Sequence, residues 1–471
     1  MIPGSNLMLQ NPGGAALVEI ENSALFNTTN SEYLSRTLSG AGTSQKTFTV
    51  GGWVNRTSFS SATSTRLFQW DNGTTNTDRG FITFDNTVPD AIKLFLEDAS
   101  DVVTVDYRTT QLFRDIGWFH WCLTVDTTPA TPIFKFFINN AEVTAFTKTT
   151  DTLAQNDVFT IADSGARHGW GSAPEGTGYL DAYMAECFYL DGQVVTDATD
   201  FVDVDSTGLY ITPKSNTGMK ALSYGTHGYY LDNTTNAQTD ASGNGNNFTN
   251  NNTVVTSKNT PTNTAATWNP LLGRGSQYNS TLSNGNRTAA VTSGGSVGMA
   301  HSTLAFDASD NFYAECVIDT AASSAVYSQI GICPADNGNA YYGSGDVYIY
   351  RGTGAKIVLG SASTYGASFT TSDVIGIHVS GGTITMYKQT GGTGSFASQG
   401  SLATGVTGMW RFIMSAANGT GFVVTGRFIE NEWGNGSPPA STLALNTTNL
   451  AAATDRTQSN PYEHFANITR T

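Results

Sequence analysis

Apolar residues along this chain recur at every second position over short stretches, and turn residues break the pattern roughly every 8–15 positions. Phe134, Phe136 and Ile138 fall on one face of a strand by this period of two, and Asn139-Asn140 follows directly, predicting a tight hairpin into Val143. No ten-residue window carries a convincing 3.6-residue period. The period predicts strands at 47–54, 66–70, 80–84, 91–97, 101–106, 118–126, 132–138, 158–162 and 179–190. It predicts a second series at 311–319, 328–333, 346–351, 373–379, 383–388, 409–415 and 421–428, with DVIGIHVSGGTITMYK as a hairpin closed by Ser380-Gly381-Gly382. WFHWCLTVD at 118–126, rich in aromatics, and YLDAYMAECFYLD at 179–191, alternating bulky and small residues, have the residue types and length of long strands. The fold class expected is all-β, with two antiparallel β-sandwiches.

Changes of character along the chain give the expected domains. Residues 1–22 read as an extended anchoring arm, 23–213 as a first sandwich and 214–275 as a polar wrapping linker. Residues 276–430 read as a second sandwich and 431–471 as a sparse polar tail. The linker is too polar to form a core, but Tyr224, Tyr229, Tyr230, Phe248 and Trp268 could pin it to a neighbouring surface.

Composition narrows the function classes. The 471 residues include 50 glycines and only 13% charged residues, with Asn, Thr and Ser supplying the polarity, which suits strands and turns better than helices. A formal net charge of −15 and the absence of any basic cluster argue against binding a nucleic-acid backbone or an anionic membrane. No run of 18 apolar residues occurs, and the N-terminal stretch has neither a basic nor an apolar segment of a secretory signal. Cys122, Cys187, Cys316 and Cys333 each sit in an apolar strand with no CxxC spacing and read as buried thiols. The Asn-x-Ser/Thr triplets are read as chance in an Asn- and Thr-rich chain, with no glycosylation expected.

Several stretches together resemble one family. SALFNTTNSEYLSR at 23–36, FTVGGWVNR at 48–56, TTQLFRDIGWFHWCLTVDTTPAT, YLDAYMAECFYLDGQVVT and DASGNGNNFT are similar to bacteriophage virion proteins that carry concanavalin-A-like or laminin-G-like jelly rolls. FYAECVID, QIGIC, DVIGIHVSGGTITMYK and the tail PPASTLALNTTNLAAAT resemble the SPRY-like sandwiches that follow in the same proteins. The resemblance spans almost the whole chain, and its motifs are strands and turns. It implies a non-enzymatic virion surface protein, most often a tail fibre or appendage, assembled in the host cytoplasm and presenting lectin-like modules to a host-surface glycan or receptor. It also implies contacts with other virion proteins through arm and tail, and a homo-oligomer, a trimer by analogy. The chain shows no collagen-like or coiled-coil shaft, so a compact appendage is expected. A head decoration or head-fibre structural protein is the alternative, and a polysaccharide depolymerase a weaker one.

Glycoside hydrolysis needs two carboxylates about 5–9 Å apart. Asp181 and Glu186 are five residues apart and would face opposite sides of a regular strand, with Asp191 a turn former, so no catalytic residue is expected. The six histidines are scattered, without HxH or HExxH spacing. The glycine-rich loop 163–178 offers Arg167, His168 and Trp170, the aromatic and planar polar types that bind sugars. Tyr341, Tyr342, Tyr348, Tyr350 and Arg351 form a second glycan-binding candidate around a turn of the second module. No cofactor is expected. Calcium is the one metal with candidates: Asp240 and Asn244 in DASGNG, which lacks an acid at the twelfth position, and Asp163 with Glu175.

Overall fold

Phe48, Val50, Trp121 and Leu123 from one sheet meet Phe68, Trp70, Ile82 and Leu94 from another, and all eight side chains are essentially excluded from solvent. This is the core of the first of two β-sandwiches in a computed structural model that describes residues 19–59, 61–74, 77–204, 211–271, 280–291, 297–338, 340–341, 343–417, 421–434 and 442–450. Most of the arm, part of the loop around Tyr342, and the tail beyond 450 lie outside the described residues. The chain divides into two compact units between Asn263 and Thr264. Among the described residues no helix is long and apolar enough to cross a membrane.

In the first unit, sheet 1 is eight-stranded and antiparallel around Thr47–Arg56, which pairs with Phe119–Asp126 on one side and Ala182–Asp191 on the other. The outer face of sheet 1 is apolar too. Trp53, Cys122, Tyr183, Phe188 and Leu190 form a further cluster with Val195, Phe201, Ile211, Met219 and Tyr224. This explains why YLDAYMAECFYLD reads as a nearly continuous apolar run: every residue of Ala182–Asp191 is buried.

Sheet 2 is also eight-stranded. Its order runs Phe146–Asp151, Val103–Leu112, Ala91–Glu97, Gly80–Phe84, Thr65–Asp71, Arg167–Trp170, Tyr33–Thr37, Thr249–Asn251. Here alternation is clean. Ile92, Leu94 and Leu96 enter the core, while Lys93, Phe95 and Glu97 point away from it. Sheet 2 therefore carries the mixed polar face of this unit.

The two expected hairpins form. Asn139 and Asn140 both take positive φ, 49° and 64°, between Ile133–Ile138 and Ala141–Glu142, and Gly381 and Gly382 do the same between Val374–Ser380 and Thr383–Gln389. Three expectations change. Residues 158–162 make no strand: Thr160–Ala162 is a 3-10 turn whose apolar side chains plug the end of the core, Phe159 lying edge-on to Phe48. The loop 163–178 contains the strand Arg167–Trp170, held by ladders on both sides. Residues 214–263 pack with the first unit, adding Tyr229–Leu231 and Val255–Ser257 to sheet 1 and Thr249–Asn251 to sheet 2.

The second unit repeats the two-layer plan. Phe312, Ala314, Ile375, Ile377 and Met386 of one seven-stranded sheet pack on Ile330, Ile332, Tyr350, Phe412 and Met414 of the other. Trp268 is fully buried in this core, edge-on to Phe428 at 5.0 Å. All four cysteines are buried and free, and burial holds each thiol above its ordinary pKa.

Candidate functional site

The outward side chains of sheet 2 fall into rows fixed by the strand register. Gln69 is opposite Phe81, Phe81 opposite Phe95, and Phe95 opposite Asp106. Phe81 and Phe95 stack at 4.7 Å between centroids and 9° between planes. Cations sit over them. The Arg66 guanidinium lies 4.2 Å from the Phe81 centroid, Arg79 lies 5.7 and 5.6 Å from the two rings, and the Lys93 ammonium lies 5.3 Å from Phe95. The rings keep only 7% and 8% exposure, so this face presents guanidinium, amide and carboxylate edges above an aromatic floor.

Four of its five cations have acidic partners. Arg167 forms a two-pronged bridge to Asp71 at 2.8 and 2.7 Å and reaches Glu175 at 4.0 Å. Lys93 pairs with Asp106 at 3.1 Å, Arg79 with Glu97 at 3.6 Å, and Arg108 with Asp85. Arg66 makes no ion pair. Its Nε donates to Gln69 at 2.7 Å and its Nη1 to Thr83 at 3.1 Å, and burial, reinforced by the Arg79 charge, pulls its pKa down to about 10. The face is thus close to neutral and dense in both donors and acceptors.

The loop after Arg167–Trp170 folds back across the face. It can do so because Gly169 has no side chain: a Cβ there would lie 2.6 Å from the Ser172 carbonyl oxygen and 2.8 Å from the Pro174 nitrogen. The loop brings Tyr179 to Tyr33 at 5.9 Å. Beyond Tyr179 the face runs into a small cavity of about 50 Å³ lined by Thr28, Arg56, Ser58, Ser61, Thr63, Thr65, Tyr179, Leu180 and Asp181. Arg56 is buried there, bonded through Nη1 to Asp90 and to the Phe113 carbonyl, and stacked 3.8 Å from the Phe84 centroid. Burial lowers its pKa to about 10 although Asp90 opposes this, and its Nε has no hydrogen-bond partner. Asp181 accepts the Thr28 amide at 2.8 Å.

The structure separates the sequence candidates. Of the first cluster only Arg167 reaches this face. Period two sends its neighbours inward: His168 and Trp170 are fully buried, Trp170 Nε1 donating to the Tyr229 hydroxyl at 3.0 Å, with His168 Nδ1 3.3 Å from that hydroxyl and His168 Nε2 2.7 Å from the Ile161 carbonyl. They are core residues, which corrects the expectation of a sugar-binding loop. In the second cluster Tyr350 is fully buried and Tyr348 nearly so, both in the core of the second unit. Tyr341 and Arg351 are half-buried, and Tyr342 lies outside the described residues.

The calcium candidates are occupied otherwise. The Asp240 carboxylate accepts four hydrogen bonds, from the Tyr230, Ser242 and Asn246 amides and the Ser242 hydroxyl, at 2.8–3.0 Å, which fills its lone pairs. Asn244 donates its amide to the Gly225 and Gly228 carbonyls. Asp163 accepts from Gln45, while Glu175 faces Arg167 and Thr177. Among the described residues no three His, Cys, Asp or Glu side chains form a metal-ligand set.

The hydrolase argument needs a corrected premise. Ala182–Asp191 is not a regular strand: its register against Thr47–Arg56 shifts between Ala185 and Phe188, and Glu186 takes φ 53°. Parity along the chain therefore does not decide which way Glu186 points. What decides its role is its partner, the buried Tyr230 hydroxyl. Asp191 is consumed by the amides of Thr43, Ser44 and His227.

No protein-family profile matches the sequence, and no curated protein matches it. Among solved structures the chain is similar to the SPRY domain of human HERC1, at 17% identity over 31% of this chain and 91% of that one, with a TM-score of 0.27. It is similar to a heptameric SAP-like pentraxin from Limulus polyphemus at 11% identity, over 51% and 96%, with a TM-score of 0.30. A TRIM65 PSpry domain matches at 12% identity, over 34% and 90%, with a TM-score of 0.26.

Sequence reasoning missed Arg66, Phe81, Phe95 and the cavity. A signal existed: Lys93-x-Phe95-x-Glu97 puts an aromatic between charges on the polar side of an alternating strand, where a lone phenylalanine otherwise gains little. The cavity had none, because its residues come from three stretches far apart in the sequence.

Proposed function

We propose that the chain is a non-enzymatic glycan-binding protein, with the outer face of sheet 2 in the first unit as its binding surface. The observation that carries this reading is the near-neutral array of planar guanidinium, amide and carboxylate groups over stacked Phe81 and Phe95, continuing into a hydroxyl-lined cavity. Sugars offer hydroxyl groups that both donate and accept, so a face with balanced donors and acceptors suits a neutral oligosaccharide better than a polyanion. Arg66 is its central group, since its charge is not committed to a carboxylate. The engagement of Asp181, Glu186 and Asp191 with protein partners supports binding without cleavage.

The sequence resemblance extends the reading to a phage virion surface protein of tail-fibre or appendage type, which would attach to a host glycan and assemble with other virion proteins. A glycan array of host-surface oligosaccharides, paired with a particle adsorption assay, tests it. Retention of a neutral oligosaccharide and its loss in Arg66→Met are expected. An empty array together with normal adsorption would sink the reading. A head decoration or head-fibre role is the second reading, favoured by the ion pairing of Arg79, Lys93, Arg108 and Arg167, which serves stability equally well. Labelling intact particles with an antibody distinguishes the two by position. Absence of reducing-sugar release from host polysaccharide is the outcome expected of a non-hydrolase.

A further inference from the structure

In the second unit, Ser361–Thr364 ends one sheet. A two-residue turn joins it to Ala355–Val358, and among the described residues no strand pairs with its outer edge. The turn fixes which backbone groups face outward. Val358 is opposite Ser361 and Lys356 opposite Ser363, and in a two-residue hairpin these are the pairs that exchange hydrogen bonds. The amides and carbonyls of Ala362 and Thr364 therefore point away from the sheet, and among the described residues they have no backbone partner. All four residues of the strand are exposed.

Sheet edges left to solvent are ordinarily guarded by charge, proline or a bulge. Two other edges of this chain are guarded in that way. Phe146–Asp151 is bulged between Lys148 and Thr150 and carries Lys148 and Asp151, and Ala397–Ala403 is irregular at two points along its partner. Ser361–Thr364 has an unbroken register and neither charge nor proline. Residues 352–372 hold one charged side chain, Lys356, and residues 389–410, which include the edge strand of the facing sheet, hold none. The Lys356 ammonium is turned inward, 2.9 Å from the Leu402 carbonyl and 5.1 Å from the Tyr365 ring centroid. In a chain of net charge −15, a second copy can approach this edge without like-charge repulsion at the contact.

The turn is unusual as well. Leu359 takes φ 47° beside Gly360 at 83°, the left-handed pair of a type I′ turn, which favours Asn, Asp or Gly. Leucine there is strained and 53% exposed, so the single chain gains little from it.

We propose that Ser361–Thr364 pairs antiparallel with the same strand of a second copy, about a two-fold axis through Ser363. Ala362 then faces the partner subunit's Thr364, and Thr364 faces the partner subunit's Ala362. Each pair exchanges both N–H···O bonds, which uses every outward group of the two residues. Pairing of this kind is isologous and closes at two copies. Continued in the same register, Leu359 falls opposite the partner subunit's Ala367, which gives its side chain the cover that the single chain lacks. The interface is independent of the glycan face proposed for the first unit.

Sedimentation velocity of the full chain at about 100 μM, in about 0.15 M salt to screen the net charge, tests the pairing. A dimer in exchange with monomer is expected. Ser363→Lys and Ser363→Asp each set like charges across the axis and should weaken association about tenfold or more. Both change an exposed side chain, so both should fold, which circular dichroism checks. An equimolar mixture of the two should restore the dimer, because lysine then faces aspartate. Leu359→Asn should weaken association while raising the urea midpoint of the dilute monomer, since asparagine tolerates the left-handed turn. A monomeric wild type, a trimer, an association that Ser363→Lys leaves unchanged, or a mixture that stays monomeric overturns the proposal. Unchanged association in Leu359→Asn overturns the part given to Leu359.

Discussion

The Tyr230 hydroxyl donates to Oε2 of Glu186 inside the first unit, at the point where Ala182–Asp191 bulges. Burial of the carboxyl is the main cause that pushes the Glu186 pKa up to about 8, with Asp232 adding to it while the Tyr230 hydrogen bond and Lys220 oppose it. A folded-state pKa above the unfolded value near 4.5 means that the unfolded chain releases this proton first as pH rises. The stability from neutral Glu186 is complete below about pH 4.5 and is lost progressively up to about pH 8.

The prediction is a fall in unfolding free energy of the first unit between about pH 6.5 and pH 8, on the order of 1–2 kcal/mol and levelling off above that, that Glu186→Gln removes. The buried histidines do not confuse this window. His120 and His168, held by burial near pKa 3, gain their stabilising effect as pH rises toward 6.5 and add nothing above it. Urea titrations at several pH values measure the slope. An identical slope in wild type and Glu186→Gln would show that Glu186 is ionised in the fold.

Gly169→Ala is expected to lift the loop 172–174 from sheet 2, because the new Cβ would meet backbone atoms of Ser172 and Pro174, which cannot rotate away. The cost should be about 1–3 kcal/mol. The loop carries Glu175 toward Arg167, so the same change should expose that arginine to limited proteolysis nearby. An unchanged urea midpoint would show that the loop yields freely.

Trp170→Ala should cost about 3–5 kcal/mol by urea unfolding, the range for removing a fully buried tryptophan. Trp170→Phe should cost less but still leave the Tyr229 hydroxyl without its donor. A loss of glycan retention without loss of stability would contradict the core placement of Trp170.

Period two makes most of this architecture legible in the sequence. It located the hairpin at Asn139-Asn140 and the alternating strands of sheet 2. The same rule, applied inside the glycine-rich stretch 163–178, would have split Arg167 from His168 and Trp170. The stretch reads as a loop because its strand is four residues long and flanked by glycines. Glu186 shows the rule's limit. A bulge resets parity, and the signal for it is a conformation, φ 53°, that no residue type announces. The polar segment 214–263 misled for a different reason: its backbone pairs with both sheets, so Tyr229 and Tyr230 are fully buried within a stretch too polar to form a core alone.

Arg66→Met tests the guanidinium of the proposed glycan face, with its stability cost measured alongside. The methionine keeps an apolar chain over Phe81 and loses the donors to Gln69 and Thr83, both of which are buried, although the Thr83 hydroxyl keeps its bond to the Thr65 carbonyl. Arg66 has no carboxylate partner, so its removal leaves no acid unpaired, but it strands the buried Gln69 side-chain oxygen, and the cost should be about 1–3 kcal/mol by urea unfolding. Oligosaccharide affinity should drop about tenfold or more if the guanidinium donates to sugar hydroxyls, the scale of one or two hydrogen bonds to a charged group. Lys93→Met is the control on the same face. It strands Asp106 and should change stability more than affinity. Surface plasmon resonance against the retained glycan, with the two variants side by side, measures both. Equal affinity in wild type and Arg66→Met would remove Arg66 from the binding face.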